Sequence, residues 1–199
     1  MIAIIDYDTG NLRSVMNALE RAGVEYVVTS DHETLRRADR VIMPGVGEAS
    51  SAMEKLRERG LDRLVPTLTQ PVLGICIGMQ LMCLSSEEGD AQCLGIFPTR
   101  VVKLPAETDS GEMLKVPHVG WDTIEELQSP LFEGVNEGVH LYYVHSFAAE
   151  HCSQAIATTT YGVKFSAALH RDNFYGAQFH PEKSGAVGEA IINNFLKIK

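Results

Sequence analysis

The segment Gly74-Ile75-Cys76-Ile77-Gly78 sets one thiol between glycines two residues to either side, where a strand-like apolar run gives way to helical spacing. This is the cysteine form of a nucleophile elbow. A strand enters a helix through so tight a turn that only glycine lets the two elements approach, and the residue at the tip is presented at the top of a sheet. Cys76 also falls at a helix N-terminus, where unpaired N–H groups and the helix dipole favour thiolate over thiol and lower the pKa from its reference of about 8.5. The competing reading is a structural cysteine, since free cysteine packs as a small hydrophobe. Cys83, Cys93 and Cys152 have no comparable context and read as structural.

A thiolate nucleophile needs a base held in one tautomer by a third group. Phe179-His180-Pro181-Glu182 offers both, directly after a strand-like run, with Pro181 fixing the chain so that Glu182 can accept from an imidazole N–H. A capped surface histidine is the alternative for this string alone. Its H-x-E spacing also occurs in zinc deaminases, but their P-C-x-x-C partner is missing, so no metal is expected. Pro44-Gly45-Val46-Gly47 ends another predicted strand, next to the expected place of Cys76. Its glycines would allow an N–H near Gly47 to form half of an oxyanion hole, with the N–H of Ile77 as the other half, although such a string is often only a turn. Gln80, four residues beyond Cys76, lies over the turn toward the thiol, and its uncharged amide suits a polar zwitterion.

The elements that must hold these groups alternate. Met1 to Asp6, Val24 to Thr29, Val41 to Met43 and Pro71 to Ile75 read as strands. Helical stripes run from Leu12 to Ala22, about Glu48 to Arg59, and Ile77 to Leu84. Such alternation implies a parallel sheet with helices on both faces and ligands at the carboxyl ends of the strands. After residue 95 strands follow one another: Arg100 to Leu104, Val139 to Val144, Gln154 to Tyr161, Lys164 to Leu169 and Phe174 to Gln178. Tyr161-Gly162 is a tight turn, and a closing helix covers Val187 to Ile198. The expected fold class is α/β: one domain over 1–199, an open, mostly parallel sheet flanked by helices, with antiparallel strands added in the C-terminal half.

At 199 residues the chain is long enough for one core and short for two. The formal charge of -9, from 17 Lys+Arg against 26 Asp+Glu, repels phosphate backbones and anionic lipid. Neither nucleic acid nor a membrane is therefore an expected partner. No apolar stretch approaches the about 18 residues of a membrane span. The four cysteines show no C-x-x-C spacing, which suits a reducing cytoplasm better than a disulfide framework or a thiolate zinc site.

Taken together, the elbow, the P-G-V-G turn and the F-H-P-E segment resemble the class-I, or triad, glutamine amidotransferases along nearly the whole chain, with a flavodoxin-like core. Further segments are similar to the branch of that family whose ammonia serves imidazole glycerol phosphate synthesis in the histidine pathway. These are Ile4-Ile5-Asp6-Tyr7 with Thr9-Gly10-Asn11-Leu12, Pro117-His118-Val119-Gly120-Trp121, Tyr142-Tyr143-Val144-His145-Ser146-Phe147, and Phe179 to Ser184. The resemblance implies that Cys76, His180 and Glu182 hydrolyse L-glutamine and that Gly47 and Ile77 hold the oxyanion. Gln80, Glu88 and the backbone around His145 and Ser146 would hold the amino-acid end, with Glu87 the alternative to Glu88. It further implies a heterodimer with a (β/α)₈-barrel cyclase subunit docked over Asn11, Trp121 and Lys183, and no metal or organic cofactor. Four other readings stand beside it: the glutaminase subunit of another synthase, a stand-alone γ-glutamyl hydrolase, a catalytically silent relative, and an FMN carrier using Asp8-Thr9-Gly10-Asn11 as a phosphate loop.

Overall fold

Ile2 and Ile4 face one way and Ala3 and Ile5 the other, because successive strand residues alternate, and all four are buried. A strand apolar on both faces needs cover on both, the condition of a parallel sheet packed between helices. The computed structural model, which describes residues 1–8 and 10–199, meets it. Thr9, part of the T-G-N-L segment and of the phosphate-loop alternative, lies outside the described residues.

The first half runs β1 (Ile2–Ile5), α1 (Leu12–Arg21), β2 (Tyr26–Thr29), α2 (His32–Arg37), β3 (Arg40–Met43), α3 (Ala49–Glu58), α4 (Leu61–Leu64), β4 (Val72–Ile75) and α5 (Ile77–Leu81). The second half adds β5 (Ser85–Ser86), β6 (Ala91–Gln92), β7 (Arg100–Lys103), β8 (His118–Thr123), β9 (His140–His145), β10 (Phe147–Ala149), β11 (Ala155–Tyr161), β12 (Val163–Arg171), β13 (Phe174–Ala177) and α6 (Gly185–Phe195). The main sheet has seven strands in the order β11-β12-β13-β4-β3-β1-β2. Its β2, β1, β3, β4 and β13 run parallel, and β12 and β11 extend one edge antiparallel. A four-stranded sheet, β10-β7-β5-β6, and a two-stranded ribbon, β8-β9, complete the second half.

Each face of the main sheet has its own core. Val15 and Leu19 of α1 and Ile191 and Phe195 of α6 pack with Ile2 and Ile4; Leu35 of α2, Met53 and Leu56 of α3 and Met79 of α5 pack with Ala3 and Ile5. Local chemistry sets the ends. Glu48 caps α3 by accepting from the N–H groups of Ser50 and Ser51, and Gly23, at φ 69°, turns the chain out of α1.

Among the described residues the sequence reading is incomplete in two ways. The elements α2, α4, β5, β6, β8 and β10, which are short or polar, have no counterpart in the expected pattern, and α5 is shorter than the expected Ile77 to Leu84. The helix stops at Leu81 because the chain leaves it to join the second sheet: the Leu84 N–H donates to the Thr99 carbonyl, and its own carbonyl accepts from Cys93. Leu81, Met82 and Cys83 are wholly buried either way, so their apolar character does not distinguish the two paths.

The elbow glycines are required by contact. A Cβ on Gly78 would lie 1.8 Å from the Met43 carbonyl oxygen of β3, and one on Gly74 would lie 2.7 Å from Gly78 and Met79 backbone atoms. An ordinary helical Gly→Ala change is favourable by roughly 0.5–1 kcal/mol. Gly78→Ala is expected instead to destabilise by about 3 kcal/mol or more, since the obstruction is backbone. Urea unfolding measures this. A gain or a loss below about 1 kcal/mol would show that α5 can withdraw from β3.

Candidate active site

Cys76 joins β4 to α5 at φ 53° and ψ −111°, a conformation that costs a non-glycine residue about 1–3 kcal/mol and persists only where its surroundings enforce it. Here the Cys76 N–H donates to the Ala177 carbonyl at 2.7 Å, and the Cys76 carbonyl accepts from Gln80 at 3.1 Å. β4 is clamped between β3 and β13. The thiol sulfur lies 4.0 Å from the Val144 carbonyl oxygen and 3.6 Å from the Gln178 amide nitrogen.

β13 delivers the histidine. Beyond Ala177 the chain continues through Gln178 and Phe179 to His180, whose N–H donates to the Tyr142 carbonyl at 2.9 Å, and the one-turn 3-10 helix Pro181–Lys183 brings Glu182 back beneath the ring. His180 Nδ1 donates to Glu182 Oε1 at 2.8 Å, with both side chains fully buried. The same oxygen accepts from Asn11 Nδ2 at 2.6 Å. A carboxylate at Nδ1 leaves Nε2 as the working nitrogen, and among the described residues Nε2 makes no hydrogen bond of ordinary geometry. Burial by itself pushes the imidazole pKa down. The Cys76 sulfur on one side of the ring and the hydrogen-bonded Glu182 carboxylate on the other outweigh it and bring the ring up to about 9. At neutral pH His180 therefore carries a proton it can surrender to a leaving group.

A cleft of about 190 Å³ opens beside the thiol. Gly47, at φ 113°, and Ile77 line one side, Gln80 and Glu88 another, and the strand segment Val144 to Phe147 forms the facing lip. The structure thus brings Cys76, Gly47, Ile77, Gln80, Glu88, His145 and Ser146 to one place. Of the two neighbouring acids, Glu88 lines the cleft, accepts from the Ala49 N–H at 2.9 Å, and has a pKa raised by burial. Glu87 instead accepts from the Lys103 N–H of β7. Gly45 has no room for a Cβ, which would meet the Tyr7 hydroxyl at 2.4 Å and Ile77 at 2.8 Å. The Tyr7 hydroxyl donates to the Pro44 carbonyl and anchors the turn.

Gln80 is tied down rather than free: its Nε2 donates to the Phe147 carbonyl at 2.8 Å and to Gln178 Oε1 at 2.9 Å. Gln178 itself was missed by sequence reasoning. Its signal was a lone amide at the end of an apolar strand, immediately before F-H-P-E. The remaining expected residues divide. Asn11 contacts the Glu182 carboxylate from below, whereas Trp121, 55% exposed, and Lys183 flank the Tyr142 ring, each about 6.0 Å from it. The histidines, cysteines and carboxylates described here form no group that could hold a metal ion.

The glutamine amidotransferase class-I family matches the sequence over residues 3–198. The chain belongs to that family. It is 54% identical over 197 residues to the imidazole glycerol phosphate synthase subunit HisH of Bacteroides fragilis, 99% of either chain being covered. To the HisH subunit of Shewanella oneidensis it is 44% identical over 212 residues, covering 100% of this chain and 96% of that one. Among solved structures it is similar to a glutamine amidotransferase with a TM-score of 0.74 and 18% identity, covering 99% and 98% of the two chains. PurLQS from Thermotoga maritima superposes with a TM-score of 0.70 and 17% identity, covering 98% and 96%.

The His180 proton gives a test that needs no turnover. Its pKa, followed by NMR, is expected near 9 in the unaltered protein. It should fall in Cys76→Ala and also in Glu182→Gln, because each removes one of the two groups that hold the proton. With a raised pKa, the stabilisation from this pair is complete below the unfolded-state value of 6.5 and is lost as pH climbs through about 9. A pKa unchanged by both substitutions would dissolve the triad pairing.

Proposed function

We propose that the chain is the glutaminase subunit of an imidazole glycerol phosphate synthase, with Cys76, His180 and Glu182 as its catalytic triad. What carries the reading is the buried, proton-holding His180–Glu182 pair set against the thiol of a strained elbow, in a chain that shares over half its residues with a HisH subunit. Cys76 attacks the side-chain amide carbon of L-glutamine. The N–H groups of Ile77 and near Gly47 receive the oxyanion, and His180 protonates the departing ammonia. Water, deprotonated by His180, then hydrolyses the γ-glutamyl thioester to glutamate. Glu88 faces the ammonium end of the substrate and the 144–147 lip its carboxylate end. Neither half-reaction calls for a metal or an organic cofactor.

Ammonia released into bulk water would be protonated and lost as a nucleophile, so the acceptor reaction has to cover the mouth of the cleft. In this reading a cyclase subunit with a (β/α)₈ barrel docks over Trp121, Lys183 and the loop of Asn11. It forms a heterodimer and uses the ammonia to make imidazole glycerol phosphate and an aminoimidazole carboxamide ribotide in the cytoplasm. A stand-alone γ-glutamyl hydrolase would use the same triad without that cover, and the exposed Trp121 ring at the rim favours the docked form.

Cys76→Ala should abolish glutamine-dependent synthesis by the complex while added ammonium still supports it. Residual glutamine turnover would remove Cys76 from its role. His180→Ala should lie at the severe end of the about 10²- to 10⁴-fold range of general acid–base contributions, and Glu182→Gln should be milder because a hydrogen bond survives without its charge. An equal or greater loss in Glu182→Gln would reverse the assignment. Lys183→Ala should leave Cys76 alkylation intact yet lower the ratio of cyclised product to glutamate. An unchanged ratio would place Lys183 outside the interface.

A further inference from the structure

The P-H-V-G-W segment contributes a buried histidine that the triad does not use. His118 of β8 lies between the rings of Tyr143 and Tyr161, with centroids 5.1 and 3.9 Å away. Its Nδ1 is 3.0 Å from Nε2 of His145, and its Nε2 is 3.2 Å from Oδ2 of Asp122. His145 Nδ1 is in turn 2.8 Å from the Phe147 carbonyl, the same oxygen that accepts from Gln80. A chain of contacts therefore runs from Asp122, whose side chain is 27% exposed, through two buried imidazoles to the lip of the cleft.

Proton counting constrains this chain. Both ends, a carboxylate and a carbonyl, only accept, so each of the three contacts must hold one proton between its atoms. Two neutral imidazoles supply two. The carbonyl obliges His145 to carry its proton on Nδ1, which leaves its Nε2 as an acceptor and obliges His118 to donate from Nδ1. The contact between His118 Nε2 and Asp122 is then satisfied only by a third proton. Without it, the carboxylate and His145 compete for the single proton of His118. The charge-assisted bond to Asp122 wins that competition and turns a bare Nδ1 of His118 toward a bare Nε2 of His145; the contact is remade only when His145 shifts its own proton from Nδ1 to Nε2, which gives up its bond to the Phe147 carbonyl.

We propose that Asp122, His118 and His145 form a three-proton relay in which His118 is a positioning residue for the 144–147 lip, so that a proton bound at the Asp122 end tightens glutamine binding. The inference rests on the glutaminase reading only in naming glutamine as the ligand; the proton count stands apart from it. Other groups face the relay without replacing it: the Tyr143 hydroxyl is engaged with Thr159, the Tyr161 hydroxyl donates to the Lys115 carbonyl, and His180 adds repulsion at His145. Burial, assisted by the charges of His118 and His180, takes His145 down to about 3 despite its bond to Phe147, so His145 stays neutral. Burial also lowers His118 below its usual value against the opposing pull of Asp122. The third proton thus enters at the His118–Asp122 end as pH falls below the ordinary imidazole range, and leaves as pH rises.

Asp122→Asn discriminates the relay from mere packing. Asp122 Oδ1 accepts from the Thr123 N–H at 2.8 Å, so the amide that replaces it would keep its oxygen there and turn its NH₂ toward His118 Nε2, closing the third contact without a proton. The full chain with its cyclase subunit is titrated with the glutamine electrophile 6-diazo-5-oxo-L-norleucine between pH 5.5 and 7.5, reading the half-saturating concentration for Cys76 alkylation apart from its maximal rate. In the unaltered protein that concentration should rise several-fold with pH. It should be low and flat in Asp122→Asn, and flat and about tenfold higher in His118→Phe, which keeps the stacked ring but leaves His145 Nε2 unpaired. Any slope that Glu88 in the cleft adds is common to all three forms, so flat here means without slope beyond that shared one, and only a difference between variants belongs to the relay. Ring ¹⁵N spectra of the full chain should show His145 protonated on Nδ1 at low pH and His118 doubly protonated there and singly above. His145 protonated on Nε2 at low pH, or the same pH dependence in Asp122→Asn as in the unaltered protein, would overturn the proposal. Absent alkylation of Cys76 in the unaltered protein would count against the glutaminase reading and leave the spectra to decide the relay.

Discussion

The positive φ of Cys76 is the constraint on which the site depends, because every other group is placed by what enforces it. The strain is held by backbone hydrogen bonds on either side of β4 and by α5 lying so close to β3 that Gly78 meets the Met43 carbonyl. That packing places the P-G-V-G turn after β3 and the histidine after β13 on either side of the sulfur. In an open parallel sheet the strand ends at neighbouring positions are about 4.8 Å apart. Three successive carboxyl ends, of β3, β4 and β13, are therefore enough to bring the turn, the thiol and the imidazole together.

Burial does the electrostatic work around that sulfur. His180 and Glu182 are wholly removed from water, which makes each charge costly alone and their mutual interaction strong. The pair is tolerated because it is hydrogen-bonded on several sides: Nδ1 to Oε1, Asn11 to the same oxygen, and the Ser184 hydroxyl to the His180 carbonyl. Asn11 sits at the start of α1 and reaches a residue from the far end of the chain. The N-terminal loop and the F-H-P-E segment thus form one polar cluster beneath the histidine.

The second half of the chain supplies the other wall. β9 and β10 carry the lip from Val144 to Phe147, and the ribbon of β8 and β9 presents Trp121 outward and His118 inward from one short strand. An exposed aromatic ring on one face and a buried polar chain on the other follow from the alternation of a single strand. Movement of the ribbon would therefore reach both surfaces together.

Cys76 between its glycines, the H-P-E string, and the alternation of apolar strands with helical stripes were legible in the sequence because each is a local requirement. A tight elbow needs glycine within two residues, a triad carboxylate can follow its histidine by two, and periodicity is visible in any window of ten. The short elements α2, α4, β5, β6, β8 and β10 were not legible, since two- to six-residue segments derive their stability from neighbours distant in sequence. Nor was the end of α5, where buried apolar residues fit either path. Gln178 beneath the thiol, Asn11 against Glu182, and His118 against His145 were decided by tertiary structure alone. Each contact joins residues 27 to 171 positions apart, and nothing in the local pattern says which buried polar group will be its partner.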